Sequence, residues 1–357
     1  MLRGNDLATA KKNCQSFWDK EWIGRPFLCV TAPKDDYNPA EMSYDNTYVR
    51  RMADAEKGDY TSSPTEYARY IRNIVHYGEA MPFYNADLCP DQCGVFFGGT
   101  LVGQPGTTTS WCYSIAEEAA ALDLTLDPNN PTYRHMTEGF RKAAEIANGD
   151  FFVSVPDYHS NMDTLSALLN PANLCFELMD HPDDVMAALE KVNSYYNEIY
   201  ENFYRAGNME ELGTVGWQPV YCSGRSAMVQ CDFSCMISPD DARKYVVPSI
   251  ELEVSHLDHC CYHYDGKQAL GHLDDILAIQ GIDAVQWVPG DGEPRTIEWM
   301  DLLKKIQKAG KSVWIYDWTA EEILADRELD PRLTVFSLSL PSQSEAEAFM
   351  KKMEQKY

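Results

Sequence analysis

The segment CCYHYDG, running from Cys260 to Gly266, holds the residues best suited to chemistry. In an extended chain side chains alternate between faces, so His263 and Asp265 project together while Tyr262 and Tyr264 project the other way. A neutral imidazole beside a carboxylate either binds a divalent metal such as zinc or works as an acid–base pair in which the aspartate orients the ring. A histidine that merely hydrogen-bonds within the core is the alternative. Cys222 closes the apolar run GTVGWQPVY that begins at Gly213, and it is a candidate third ligand.

Similar residues stand at the ends of other apolar runs. Asn85 and Asp87 end one; Asp157, Tyr158 and Asp163 follow another. Trp217 and Gln218 precede Cys222, Gln286 and Trp287 lie in a later run, and Tyr316, Asp317 and Trp318 end the next. Such a mixture of carboxylates, amides and aromatic faces fits a substrate pocket. We take His263, Asp265, Asp87 and Asp157 as catalytic candidates. Tyr158, Trp217, Gln218, Asp232, Tyr264, Gln286 and Trp287 are substrate-binding candidates, and His263, Asp265 and Cys222 are metal-ligand candidates. Helix caps at Asp157 and Asp317, and plain packing at Trp217 and Trp287, are the competing readings.

The elements that must position these residues are short strands alternating with amphipathic helices. Strands are predicted from Pro26, Met81, Phe151, Gly213, Cys260, Asp283, Ser312 and Leu333. DHPDD from Asp180 and SPDD from Ser238 each supply a cap, a proline in the first turn and acidic residues at the positive helix end. Pro248 must interrupt the second of these helices. HLDD from His272 reads as first-turn charge on a solvated face. Repeated strand–helix units predict an α/β fold, a single (β/α)8 TIM barrel over residues 1–357, with active-site residues at the carboxyl ends of its strands. Residues 1–25 form an N-terminal helical extension, and 87–130, rich in Gly, Pro and Thr, an excursion over the barrel mouth.

The chain of 357 residues carries Lys+Arg 30 against Asp+Glu 55, a net charge of -25 that disfavours nucleic acid and anionic membrane partners. No apolar run reaches membrane-spanning length and the N-terminus lacks a secretory leader, so a cytoplasmic location is expected. The eleven cysteines are then reduced thiols, mostly buried. There is no Walker loop, no GxGxxG after a strand and no GxSxG elbow, which argues against nucleotide-dependent chemistry and serine hydrolysis.

QCDFSCMISP from Gln230, a helix reaching Pro248, YHYDG, and HLDDILAIQGIDAVQWVPGDG from His272 together resemble the uroporphyrinogen decarboxylase superfamily. The resemblance is best from Gly213 to Lys311, with Phe151 to Leu169 similar to an earlier barrel segment. It implies a (β/α)8 barrel, often a homodimer, and either tetrapyrrole decarboxylation or methyl transfer to a corrinoid protein. The decarboxylase branch has an arginine-rich N-terminal stretch, whereas IGRPF from Ile23 has one arginine. The methyltransferase branch holds zinc with a His-x-Cys pair and a late cysteine; here the pair reads His263 and Asp265, and TVFSLSL from Thr334 has no cysteine. The expected function is therefore demethylation of a small O- or N-methyl substrate onto a separate corrinoid protein, with an oxygen-rich metal site. The alternatives are a metal-independent decarboxylase or lyase on a small carboxylated substrate, and a barrel that only binds a small molecule.

Overall fold

The computed structural model describes residues 6–103 and 110–357; residues 1–5 of the expected extension and 104–109 of the expected excursion lie outside them. The strands are β1 (Phe27–Pro33), β2 (Ile74–Gly78), β3 (Phe83–Tyr84), β4 (Thr100–Gly103), β5 (Ser110–Tyr113), β6 (Phe152–Val153), β7 (Ser226–Gln230), β8 (His259–Asp265), β9 (Ala284–Val288), β10 (Ser312–Ile315) and β11 (Thr334–Ser339). Seven form one sheet in the order β2-β1-β11-β10-β9-β8-β7, parallel except for β2, which runs antiparallel to β1. β3 pairs with β6 in parallel, and β4 with β5 as an antiparallel ribbon. The fold is mixed α/β, with helices following most strands.

Parallel strands cannot be joined by tight turns, so each crossover needs a helix, and helices cover one face of the sheet. Alternation then divides the apolar residues between two cores. Leu28, Val30, Val229, Tyr262, Val285, Val313 and Phe336 face the helices. Phe27, Cys29, Met228, Cys261, Ala284, Trp314 and Val335 face the other way, against Phe152, Val215 and Val220. The helix Leu7–Trp18, capped by Asp6, inserts Ala10, Cys14, Phe17 and Trp18 into this second core. The Trp18 ring stacks on His259 at 4.6 Å, and its Nε1 donates to the Tyr221 carbonyl at 2.9 Å. His259 begins β8, so this helix covers the amino end of the sheet and leaves the carboxyl end open.

Several local expectations agree with the structure and others need correction. Ser238 caps its helix through the Asp241 N–H, and Pro248 is accommodated by a π-helical turn, Ala242–Val246, ahead of the helix Val247–Ser255. The segment from Asp180 forms two helices, Pro182–Asn193 and Tyr196–Ala206, rather than one. The predicted strand from Gly213 is only a bridge between Thr214 and Cys222, and the strand proper follows at β7. Gly213 (φ +85°) starts a loop that folds back, so the apolar run is loop packing rather than sheet. His272, expected on a solvated face, is buried and bonded through Nε2 to the Ser234 carbonyl at 2.9 Å. Among the described residues no helix is long and apolar enough to cross a membrane.

Candidate active site at the carboxyl end of the sheet

Register aligns a row of polar side chains. Gln230 of β7 pairs with His263 of β8, and His263 pairs with Gln286 of β9, all on the face away from the helices. Gln286 Oε1 lies 2.6 Å from His263 Nδ1. Since the amide oxygen is an acceptor, Nδ1 carries the hydrogen and the Nε2 lone pair is left free. Asp265, two residues on, shares this face. Asp232 opens the 3-10 turn Asp232–Met236 that follows β7. Ligand atoms of Asp232, His263 and Asp265 lie within 4.8 Å of one another, and all three side chains are half-buried. Burial raises the Asp265 pKa, and the neighbouring His263 opposes this.

A second group adjoins the first. The His159 imidazole is ringed by four carboxylates: Asp157 at 3.6 Å, Asp163 at 3.7 Å, and Asp91 and Asp232 at 3.9 Å. Burial alone would strip its proton, but the charges of Asp157, Asp232 and Asp163 prevail and hold its pKa well above the usual value. Asp163 is pushed up to about 7 by burial and by the facing charge of Asp232. Its oxygens accept the Asp232 and Phe233 backbone N–H groups at 2.9 and 2.8 Å, which anchors the Asp232 turn to the helix Asn161–Leu169.

Beneath these lies a supporting layer. Gln230 Nε2 donates to Asp157 Oδ1 at 2.6 Å, and the Asp157 N–H donates to Asp87 Oδ2 at 3.2 Å. Asp87 is buried against Arg51, whose Nε donates to the Asp87 carbonyl and whose NH2 lies 3.3 Å from Oδ1. Burial raises the Asp87 pKa and Arg51 counters it. Asn161, in the left-handed region at φ +52°, donates through Nδ2 to the Gln230 carbonyl and to Glu253. Glu253 also accepts the Ser160 hydroxyl, and burial pushes its carboxyl up to about 8.

Beside the site, and sharing Asp232 with it, opens a cleft of about 540 Å³. Its walls include His159, Asp163 and Asp232 as well as Asp91, Trp111, Cys112 and Tyr113, so part of the 87–130 segment borders it.

The structure thus gathers Asp157, Asp232, His263, Asp265 and Gln286, with Asp87 one layer below. Trp217 joins them by a different route than expected: its loop carries the ring to 5.1 Å from that of His263, and its buried Nε1 has no hydrogen-bond partner among the described residues. Gln218 is buried and bonds to the Val220 carbonyl of its own loop.

Four candidates are displaced. Cys222 lies near Asp258 and Asp283, at the amino ends of β8 and β9, with its thiol raised to about 11 by burial; it cannot complete a site at the opposite end. Tyr158 packs on Tyr196 and Tyr200 in the helix-facing core. Tyr264 and Trp287, opposite each other in register, face the helices as well, with Trp287 against Trp299 and the Tyr264 hydroxyl on the Ala269 carbonyl. Alternation along β8 and β9 dictates this once His263 and Gln286 point away from the helices.

His159 and Asp91 are the residues that sequence reasoning missed. The signal lay in DYHSNMD from Asp157, where a histidine sits between two aspartates just after a strand and ahead of a helix. Compared with models of known protein families and with curated proteins, the sequence gives no match.

Proposed function

We propose that this chain is an enzyme of the uroporphyrinogen decarboxylase type, a single closed (β/α)8 barrel. In this reading it takes a methyl group from a small O- or N-methyl substrate and passes it to a corrinoid on a separate protein. Closure of the barrel is supported by hydrogen bonds beyond the seven-stranded sheet. The Glu79 N–H donates to the Leu28 carbonyl, Ser154 N–H to Tyr84, and Val155 N–H to Val215, while the Thr214 and Ser226 hydroxyls meet at 2.7 Å. The first extends the β1–β2 pairing past Gly78, and the others run from β3 through β6 and the 214–216 segment to β7.

The observation that carries the functional reading is the convergence of Asp232, His263 and Asp265 beside the cleft, whose wall Asp232 joins. Three protein ligands that leave further coordination positions open is the arrangement of a catalytic divalent-metal site. The residues fit such an ion: Gln286 fixes His263 with Nε2 free, and Asp163 holds the Asp232 turn in place through two backbone N–H groups. With two carboxylates, one imidazole and no thiolate, the donors suit zinc or another oxygen-preferring divalent ion. When bound, the metal would supply Lewis-acid polarisation of the substrate heteroatom. Methyl transfer breaks the carbon–heteroatom bond and leaves its electron pair on the heteroatom. The chain's own part is to orient that atom towards Asp232, His263 and Asp265 and to shield it beneath the Trp217 ring.

The test is metal content of protein purified without chelator, with His263→Ala as control, followed by methyl transfer to a reduced corrinoid acceptor. About one divalent ion per chain, lost in His263→Ala, together with chelator-sensitive methyl transfer, is the expected result. Protein that binds no metal sinks this reading. A second reading, a metal-independent decarboxylase or lyase, is favoured by His159 facing the same cleft among four carboxylates, a ready proton-handling group. Carbon dioxide release that survives chelation would choose it.

A further inference from the structure

Apart from Asp232, the lining of the cleft is not used by the metal reading. β5 alternates, so Trp111 and Tyr113 project together while Cys112 turns inward. Both rings line the cleft, Trp111 42% and Tyr113 58% exposed, and among the described residues neither packs on another aromatic ring. Large aromatic faces open on a cavity wall offer a surface that a ligand can cover. The same cleft is lined by Asp91, Asp163 and Asp232, and no lysine or arginine lines it among the described residues. Even with His159 counted as a cation, the lining carries an excess of negative charge. The one arginine of the supporting layer, Arg51, is buried and taken up by Asp87 and the Asn46 carbonyl. Carboxylates and open aromatic faces lining one cleft match an organic ammonium, drawn by the charge and covered by the rings.

We infer that the substrate carries an ammonium group, seated in the cleft that Asp91, Trp111 and Tyr113 line together. This rests on the proposed function only in calling the occupant a substrate; the subsite itself stands on the cavity and its lining. Asp232 belongs both to the lining of the cleft and to the cluster with His263 and Asp265, so the two sites adjoin.

The test is calorimetric titration of the full chain with choline, with its uncharged carbon isostere dimethylbutanol, and with acetate. Choline is expected to bind at least about tenfold more tightly than the isostere, and acetate not at all. Asp91→Asn and Trp111→Leu should each weaken choline binding about fivefold. Trp111→Leu should leave the unfolding midpoint unchanged, because Trp111 lies at the surface. Asp91→Asn keeps an acceptor for the Cys112 N–H but removes one of the four carboxylates around His159, so it is compared at a temperature where it is fully folded. Equal binding of choline and the isostere, no choline binding at millimolar concentration, or indifference to both substitutions would overturn the inference. Titrating zinc in parallel separates the two proposals. Zinc binding without choline binding refutes the ammonium subsite alone, and choline binding without zinc binding refutes the metal reading alone.

Discussion

Glu253 provides a sharp test of how the supporting layer is built. Its carboxyl is buried, accepts the Ser160 hydroxyl at 2.7 Å and the Asn161 amide at 2.8 Å, and is held neutral up to about pH 8. The folded-state pKa lies above the unfolded one, so the native state binds the extra proton. Its contribution is fully present below the unfolded value near 4.5 and is lost as pH rises through about 8. At 1.36 kcal/mol for each pKa unit, this one group makes the fold about 5 kcal/mol less stable at pH 9 than at pH 4, an upper figure because a charged Glu253 would draw in water. Glu253→Gln replaces the neutral acid by a neutral isostere whose oxygen still accepts from Ser160 and Asn161. Denaturant unfolding of both proteins from pH 5 to 9 should show similar stability near pH 5, the variant gaining about 1.4 kcal/mol per pH unit up to about pH 8 and keeping a constant margin above it. Parallel curves for the two proteins would refute the reasoning. So would a variant several kcal/mol weaker at pH 6, since that would mean a carboxylate there.

Two further perturbations probe the frame of the site. Arg51→Leu leaves Asp87 buried without its counter-charge and should destabilise the protein by about 3–5 kcal/mol in urea unfolding, while adding Asp87→Leu should recover much of that loss. If the single variant proves neutral, the pair is not desolvated as described. Trp18→Ala removes a 4% exposed indole stacked on His259 and should lower stability by about 3–5 kcal/mol in thermal or urea unfolding. Metal affinity should be untouched, because the indole sits at the amino end of the sheet. A loss of metal binding in this variant would contradict the placement of His263 at the opposite end.

Much of the frame was open to reading along the chain. The runs at β1, β8, β9, β10 and β11 were recognisable because buried parallel strands are continuous apolar stretches, and caps such as Ser238 mark helix starts by local chemistry. The pairing of His263 with Asp265 followed from strand alternation alone, which needs no partner strand. Ser226–Gln230 escaped because a more apolar segment stood just before it; GTVGWQPVY packs as a loop, and apolar content does not distinguish a strand from a buried loop.

What the sequence by itself determined is therefore local: an acidic chain of alternating strands and helices, and which side chains share a face within one element. Which face looks towards the helices was decided only when the strands paired. That choice sent Tyr264 and Trp287 into the helix-facing core and left His263 and Gln286 on the other side. Tertiary structure also carried Cys222 to the wrong end and brought Asp232, His159 and Asp91 to the cleft from segments more than twenty residues from His263. The reason is physical: alternation is a property of one strand, whereas convergence depends on register between strands and on loops whose course is set by what they bury.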